Sequence, residues 1–412
     1  MRPAPAIVTL GLALLGWTAP GAPVQAESTR NKARTEYRRA TTLKTVYWVP
    51  RAERPRRALL EEGGIVTVYP ERAQKGSGCR AKWVPVKGGG YLCLDGTEVT
   101  REAPKDVPAM VDDLLPFVYV HETKNPAMMY GYSPVADKPG RLERYGRALD
   151  ETKYTRHKPS RFRGRNLRTD PVPRPQLVPG WAVVADAPVY ATAGGDDDPG
   201  TPSMTLDLHT PLLVSRFETE AGWFKVWDPA GNAPLGFMQE GPLRRFDPAP
   251  APEGLAKGQS WVDIDVNQQM LALYAGPEPV YVTLVSTGLE ERETPLGVFE
   301  MNHKLAYRTM VNLPDSADKY RVENVPWAMY FAPYYAVHGA YWHNEFGNRR
   351  SHGCVNLAPK DARYIYGQVG PHHQPGFFKT FASEHAPPSV VRVRDGQIRN
   401  LSALVKKGEG DS

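Results

Sequence analysis

Ser351-His352-Gly353-Cys354-Val355-Asn356, with Tyr335-Ala336-Val337-His338-Gly339 upstream, reads as an apolar strand, a loop of a dozen residues and a return. Each block carries an imidazole, and the second carries a thiol. A nucleophilic thiol needs a neighbouring imidazole to move its proton. It also needs main-chain N–H donors aimed at the developing oxyanion. Gly353 bares the main chain beside Cys354, so the Gly353 and Cys354 amides are the expected donors. His338 ends a strand that would hold its ring rigidly.

The same β character extends outward. In Trp261-Val262-Asp263-Ile264-Asp265-Val266, Val262, Ile264 and Val266 share one face, and Asp263 and Asp265 are assigned to a solvated one. Leu271 to Tyr274, Val280 to Val285, Thr294 to Met301 and Ser389 to Val393 read as further strands. Only Asp361 to Val369 reads as helix, with Pro359 near its first turn. Residues 258–395 therefore form a mostly β domain, followed by a polar tail, 396–412. A Pro/Ala linker, 247–257, precedes it.

Pro (40) and Gly (37) are abundant among 412 residues, which disfavours a helical bundle or coiled coil. Residues 1–26 read as a signal peptide: Arg2, an apolar stretch from Ile7 to Trp17, then Val24-Gln25-Ala26 before the cut. Export to a periplasm or cell envelope follows. Residues 27–57 are a basic N-terminal segment. Residues 58–137 and 181–246 read as two small SH3-like β modules sharing a weak repeat, Trp83-Val84-Pro85-Val86 and Trp223-Phe224-Lys225-Val226. Between them, 138–180 is a Pro/Arg-rich linker whose Tyr154–Arg168 part holds six Lys/Arg and no acid. It is read as a solvated linker, with an anionic envelope polymer or membrane surface as the alternative partner. A net charge of +6 is too mild to call for nucleic acid.

An exported chain pairs its cysteines, and there are three. Cys79 and Cys93 flank a Gly-rich hairpin and form a candidate disulfide, leaving Cys354 over. His338, His343, His352 and Cys354 have no standard zinc spacing, and His-Glu-x-x-His is absent. His343 alone reads as a loop residue. In a papain-like protease the Cys precedes its His.

The His-Gly pair, the loop and Ser-His-Gly-Cys-Val-Asn together resemble the signature of the YkuD-type L,D-transpeptidases over residues 258–395. Val285-Ser286-Thr287-Gly288 and Thr294-Pro295-Leu296-Gly297 are similar to that family's earlier strands. The resemblance implies that Cys354 attacks the carbonyl before the terminal D-Ala of a peptidoglycan tetrapeptide stem. A thioester forms, D-Ala leaves, and an amine of a second stem resolves it as a crosslink between diamino acid residues. It further implies that His338 shuttles protons, that His352 shapes the pocket or thiolate environment, and that Ser351 and Asn356 brace the loop. Tyr341 and Trp342 line the cleft or pack in the core. Carbapenem-type β-lactams would acylate the thiol, and no metal or organic cofactor is needed. Water as acceptor would make an L,D-carboxypeptidase. Attachment or release of a protein on peptidoglycan, or a non-catalytic wall-binding role, are the other readings.

Overall fold

The alternation at Trp261 is realised as the strand Ser260–Asp265, antiparallel to Met270–Ala275 and parallel to Val390–Arg394. The computed structural model describes residues 34–52, 55–108, 110, 113–122, 129–132, 154–156, 158–169, 176–194, 200–219, 222–256, 258–311 and 321–396. The expected signal peptide and nearly all of the tail lie outside the described residues. Among the described residues no helix is long and apolar enough to cross a membrane.

Strands dominate, and Pro359–Gln368 is the one α-helix among the described residues. Two sheets share the long strand Glu278–Ser286. In the first, its neighbours run Met270–Ala275, Ser260–Asp265, Val390–Arg394 and Gly297–Glu300. In the second, Val285 and Ser286 pair with Val355–Leu357. That strand is parallel to Tyr335–Gly339, and Arg321–Ala332, His303–Val311 and Lys379–Phe381 follow antiparallel. Val262, Ile264, Leu271 and Leu273 from one sheet meet Met329, Val337, Val355 and Leu357 from the other. The helix closes this core with Ala362, Ile365 and Tyr366. Lys304, fully buried, donates from Nζ to Tyr366 O (2.5 Å) and Val369 O (2.8 Å), satisfying carbonyls at the helix end.

Three expectations need correction. The Asp263/Asp265 face is buried, with exposures of 2% and 4%. The parallel strand brings Arg392 and Arg394 against it, at 2.6 Å and 2.8 Å from Asp263 and 2.7 Å from Asp265. The Pro/Ala linker covers them, Pro250 O and Asp247 O accepting from Arg392 Nη1 and Arg394 Nη2. Alternation read polar as solvated; it could not show which strand would lie alongside.

Within the basic segment 138–180, the Ser160–Leu167 part is not a solvated linker. Arg165–Asn166 pairs with Val282 and Tyr281 as an edge strand, and Gly164 N–H donates to buried Asp361 (3.0 Å). Phe162 packs beside Trp181 and Phe346.

The basic segment 27–57 contributes strands Glu36–Ala40 and Lys44–Tyr47, and Arg56–Leu60 begins within it. Arg56–Leu60 pairs with Lys379–Phe381, extending the second sheet, and Phe377 enters the first module's core. This module completes its core with a residue of the C-terminal domain. Cys79 and Cys93 form a disulfide there. The second module is a five-stranded sheet with its own core of Val178, Leu212, Val214, Phe224, Val226 and Met238.

Candidate active site

Val337 pairs with Val355 and His338 with Asn356 in the parallel ladder. Cys354, one residue before that strand, is therefore level with Ala336. Paired residues face the same side, so Cys354 and His338 share one face, offset by one strand and two residues. Strand spacing and rise put their Cα atoms about 8 Å apart, a diagonal that side chains bridge.

Cys354 is a free, half-buried thiol. Its Sγ donates to Tyr334 O at 3.7 Å. Burial pushes the thiol up to about 11, and a hydrogen bond with the Ala336 backbone pulls partly the other way. His338 is 2% exposed. Burial drives it down to about 4, against a weaker opposing pull from its bond to Gly339 O. Nδ1 lies 3.2 Å from that carbonyl. The neutral ring therefore carries its proton on Nδ1 and leaves Nε2 unprotonated. At neutral pH the pair rests as thiol and imidazole, not as an ion pair.

The loop is held from within. Gly353 N–H donates to Ser351 Oγ (3.0 Å), and Ser351 Oγ donates to Cys354 O. The Gly353 amide expected at an oxyanion is thus committed to the loop. Gly353 has φ +111°, and a Cβ there would lie 2.7 Å from the Tyr335 ring, so only glycine fits. Thr294 Oγ1 donates to Gly353 O (2.9 Å) and accepts from Gly288 N–H (3.0 Å).

Asn356 is buried against His343, its amide 3.0 Å from Nε2. His343 Nδ1 accepts from Glu345 N–H (3.2 Å), and Nε2 faces the Asn356 amide nitrogen. Burial, then Arg350 and His338, lower His343 to about 3. His343 lies in a loop, as expected, and is buried there as a brace for Asn356. His352 is exposed. Tyr341 belongs to the core, 1% exposed, with its hydroxyl on Glu323 O (2.9 Å). Trp342 is half-buried with its ring 5.9 Å from that of His338. The bracing contacts of Thr294 and His343 were not legible in the sequence, because only folding brings these residues to the motif.

The four residues weighed as zinc ligands form no cluster of three ligand atoms within 4.8 Å; among the described residues only Cys79, Cys93 and Asp95 do, and those sulfurs are bonded to each other.

Residues 259–377 match the YkuD family model, described as the L,D-transpeptidase catalytic domain. No curated protein gives a significant sequence match. Among solved structures, the chain is similar to a crystal structure of an Enterococcus faecium L,D-transpeptidase variant (20% identity, TM-score 0.26). That alignment covers 33% of this chain and 50% of the other, so this chain spans half the length of that protein. It is also similar to the catalytic domain of the E. faecium enzyme solved by NMR (21%, TM-score 0.27, covering 33% and 98%). A Mycobacterium smegmatis L,D-transpeptidase follows (16%, TM-score 0.28, covering 58% and 90%). By the match over 259–377, the C-terminal domain of this chain is a YkuD-type domain.

Proposed function

We propose that the chain is an exported cysteine L,D-transpeptidase acting on peptidoglycan tetrapeptide stems. The observation that carries the reading is the free Cys354 thiol on the same sheet face as His338, whose Nε2 is unprotonated. As the substrate carbonyl arrives, the thiol proton passes to His338 Nε2 and sulfur bonds to the carbonyl carbon. The oxyanion draws on the Cys354 N–H, Gly353 being engaged with Ser351. Collapse breaks the C–N bond, and His338 returns the proton to the departing D-Ala amine. An amine of a second stem then gives its proton to His338 and attacks the thioester. The C–S bond breaks, and the thiol is re-formed.

Purified protein and defined muropeptides, read by mass spectrometry, test this. A crosslinked dimer with loss of D-Ala is expected. Tripeptide alone means that water is the acceptor. No product and no acyl adduct on Cys354 with a carbapenem overturns the reading.

A further inference from the structure

The sheet face that carries Cys354 continues away from it across four more strands. By register, Cys354 is level with Ala336, Ala336 pairs with Tyr330, Tyr330 with His303, and His303 with Phe381. At about 4.8 Å per strand, Tyr330 lies about 10 Å from the thiol and Phe381 about 19 Å. Cations gather at that end. Arg56 Cζ and Lys379 Nζ each sit 4.7 Å from the Phe381 ring centre, and Arg308 Cζ lies 6.0 Å from that of Tyr330. His303 stacks on Tyr330 at 4.7 Å.

Among the described residues no ion pair is formed by Arg56, Arg308 or Lys379, whereas Arg321 at the other end of the Tyr330 strand pairs with Glu323. Burial, then Arg308 and Arg56, lower Lys379 to about 8. Three uncompensated cations held together cost stability unless an anion sits among them.

We infer that this basic, ring-floored shelf binds the carboxylates of the stem peptide, with Arg56 supplied by the N-terminal β module. The inference rests on the proposed activity. Three residues of an extended peptide span about 10 Å, the reach from Cys354 to Tyr330. A stem acylated at its third residue would bring its free carboxylates to the near edge of the shelf, beside Tyr330 and Arg308, with Arg56 and Lys379 completing the positive field behind them. The module joined to this sheet through Arg56–Leu60 thereby supplies the far edge of the shelf.

The test is equilibrium binding to full-length Cys354→Ala protein of an acidic tetrapeptide stem and of the same peptide with amidated carboxylates. The acidic form should bind about tenfold tighter, and added salt should erode the difference. Arg56→Ala/Arg308→Ala/Lys379→Gln should abolish the preference. Removing the same charge from exposed positions, Lys75→Ala/Lys82→Ala/Lys87→Ala, should preserve it. Equal binding of both peptides, or a preference that survives the shelf variant, overturns the inference. So does loss of binding to phosphatidylglycerol vesicles in the shelf variant without any peptide preference, which would make the shelf a membrane contact. Turnover by the unmodified protein separates the two claims. A preference without turnover sinks the activity alone, and turnover without preference sinks the shelf alone.

Discussion

The pH dependence of thiol alkylation measures the resting state of Cys354 directly. With the thiol pushed from 9.0 to about 11, roughly one molecule in 10⁴ carries thiolate at pH 7, against about one in 100 for an unshifted thiol. Iodoacetamide should therefore label Cys354 about a hundredfold more slowly than a model thiol at pH 7. The rate should climb about tenfold per pH unit until near 11. Because His338 is neutral above about 4, His338→Ala should leave that slope unchanged. Turnover of stem peptide by the same variant should fall by about 10²–10⁴. The assay is adduct formation by mass spectrometry with thiolate absorbance in parallel. An inflection below pH 8, or a thiolate band at pH 7, would show a preformed ion pair and refute the reasoning.

Other consequences are equally direct. Gly353→Ala forces a Cβ into the Tyr335 ring at a left-handed φ, so acylation by a carbapenem should be lost while the melting temperature moves by only a few degrees. Arg394→Met leaves two buried carboxylates short of a partner and should cost about 3–5 kcal/mol by urea unfolding; a loss below 1 would mean that the pairs are solvated. Burial raises Asp361 from 3.8 to about 6, so the folded state holds that proton more tightly. Its stabilising contribution is complete below 3.8 and disappears as pH rises through 6, and Asp361→Asn should flatten the melting temperature over that window.

Much of the C-terminal domain is written in local pattern. Period-two alternation announces the strand at Trp261, and proline at a first turn announces the helix at Pro359. A glycine beside a thiol and two histidines marks the loop as the candidate site. These are legible because a strand's faces and a turn's dihedrals depend on neighbours a few residues away. The chain alone also leaves one cysteine over once Cys79 and Cys93 are paired.

Folding decided what depends on distant partners. Asp263 is buried because Arg392 and Arg394 arrive from 129 and 131 residues away, and no window around Trp261 contains them. His343 braces Asn356, and Thr294 holds Gly353, through hydrogen bonds that cross between elements. The shelf joins Arg56 to Lys379 only because two strands far apart in sequence share a ladder. Burial sets the protonation of Cys354 and His338, and burial is a property of everything packed around a group. Composition and spacing name the candidate thiol and imidazole; packing sets their charge at rest and the surface beside them.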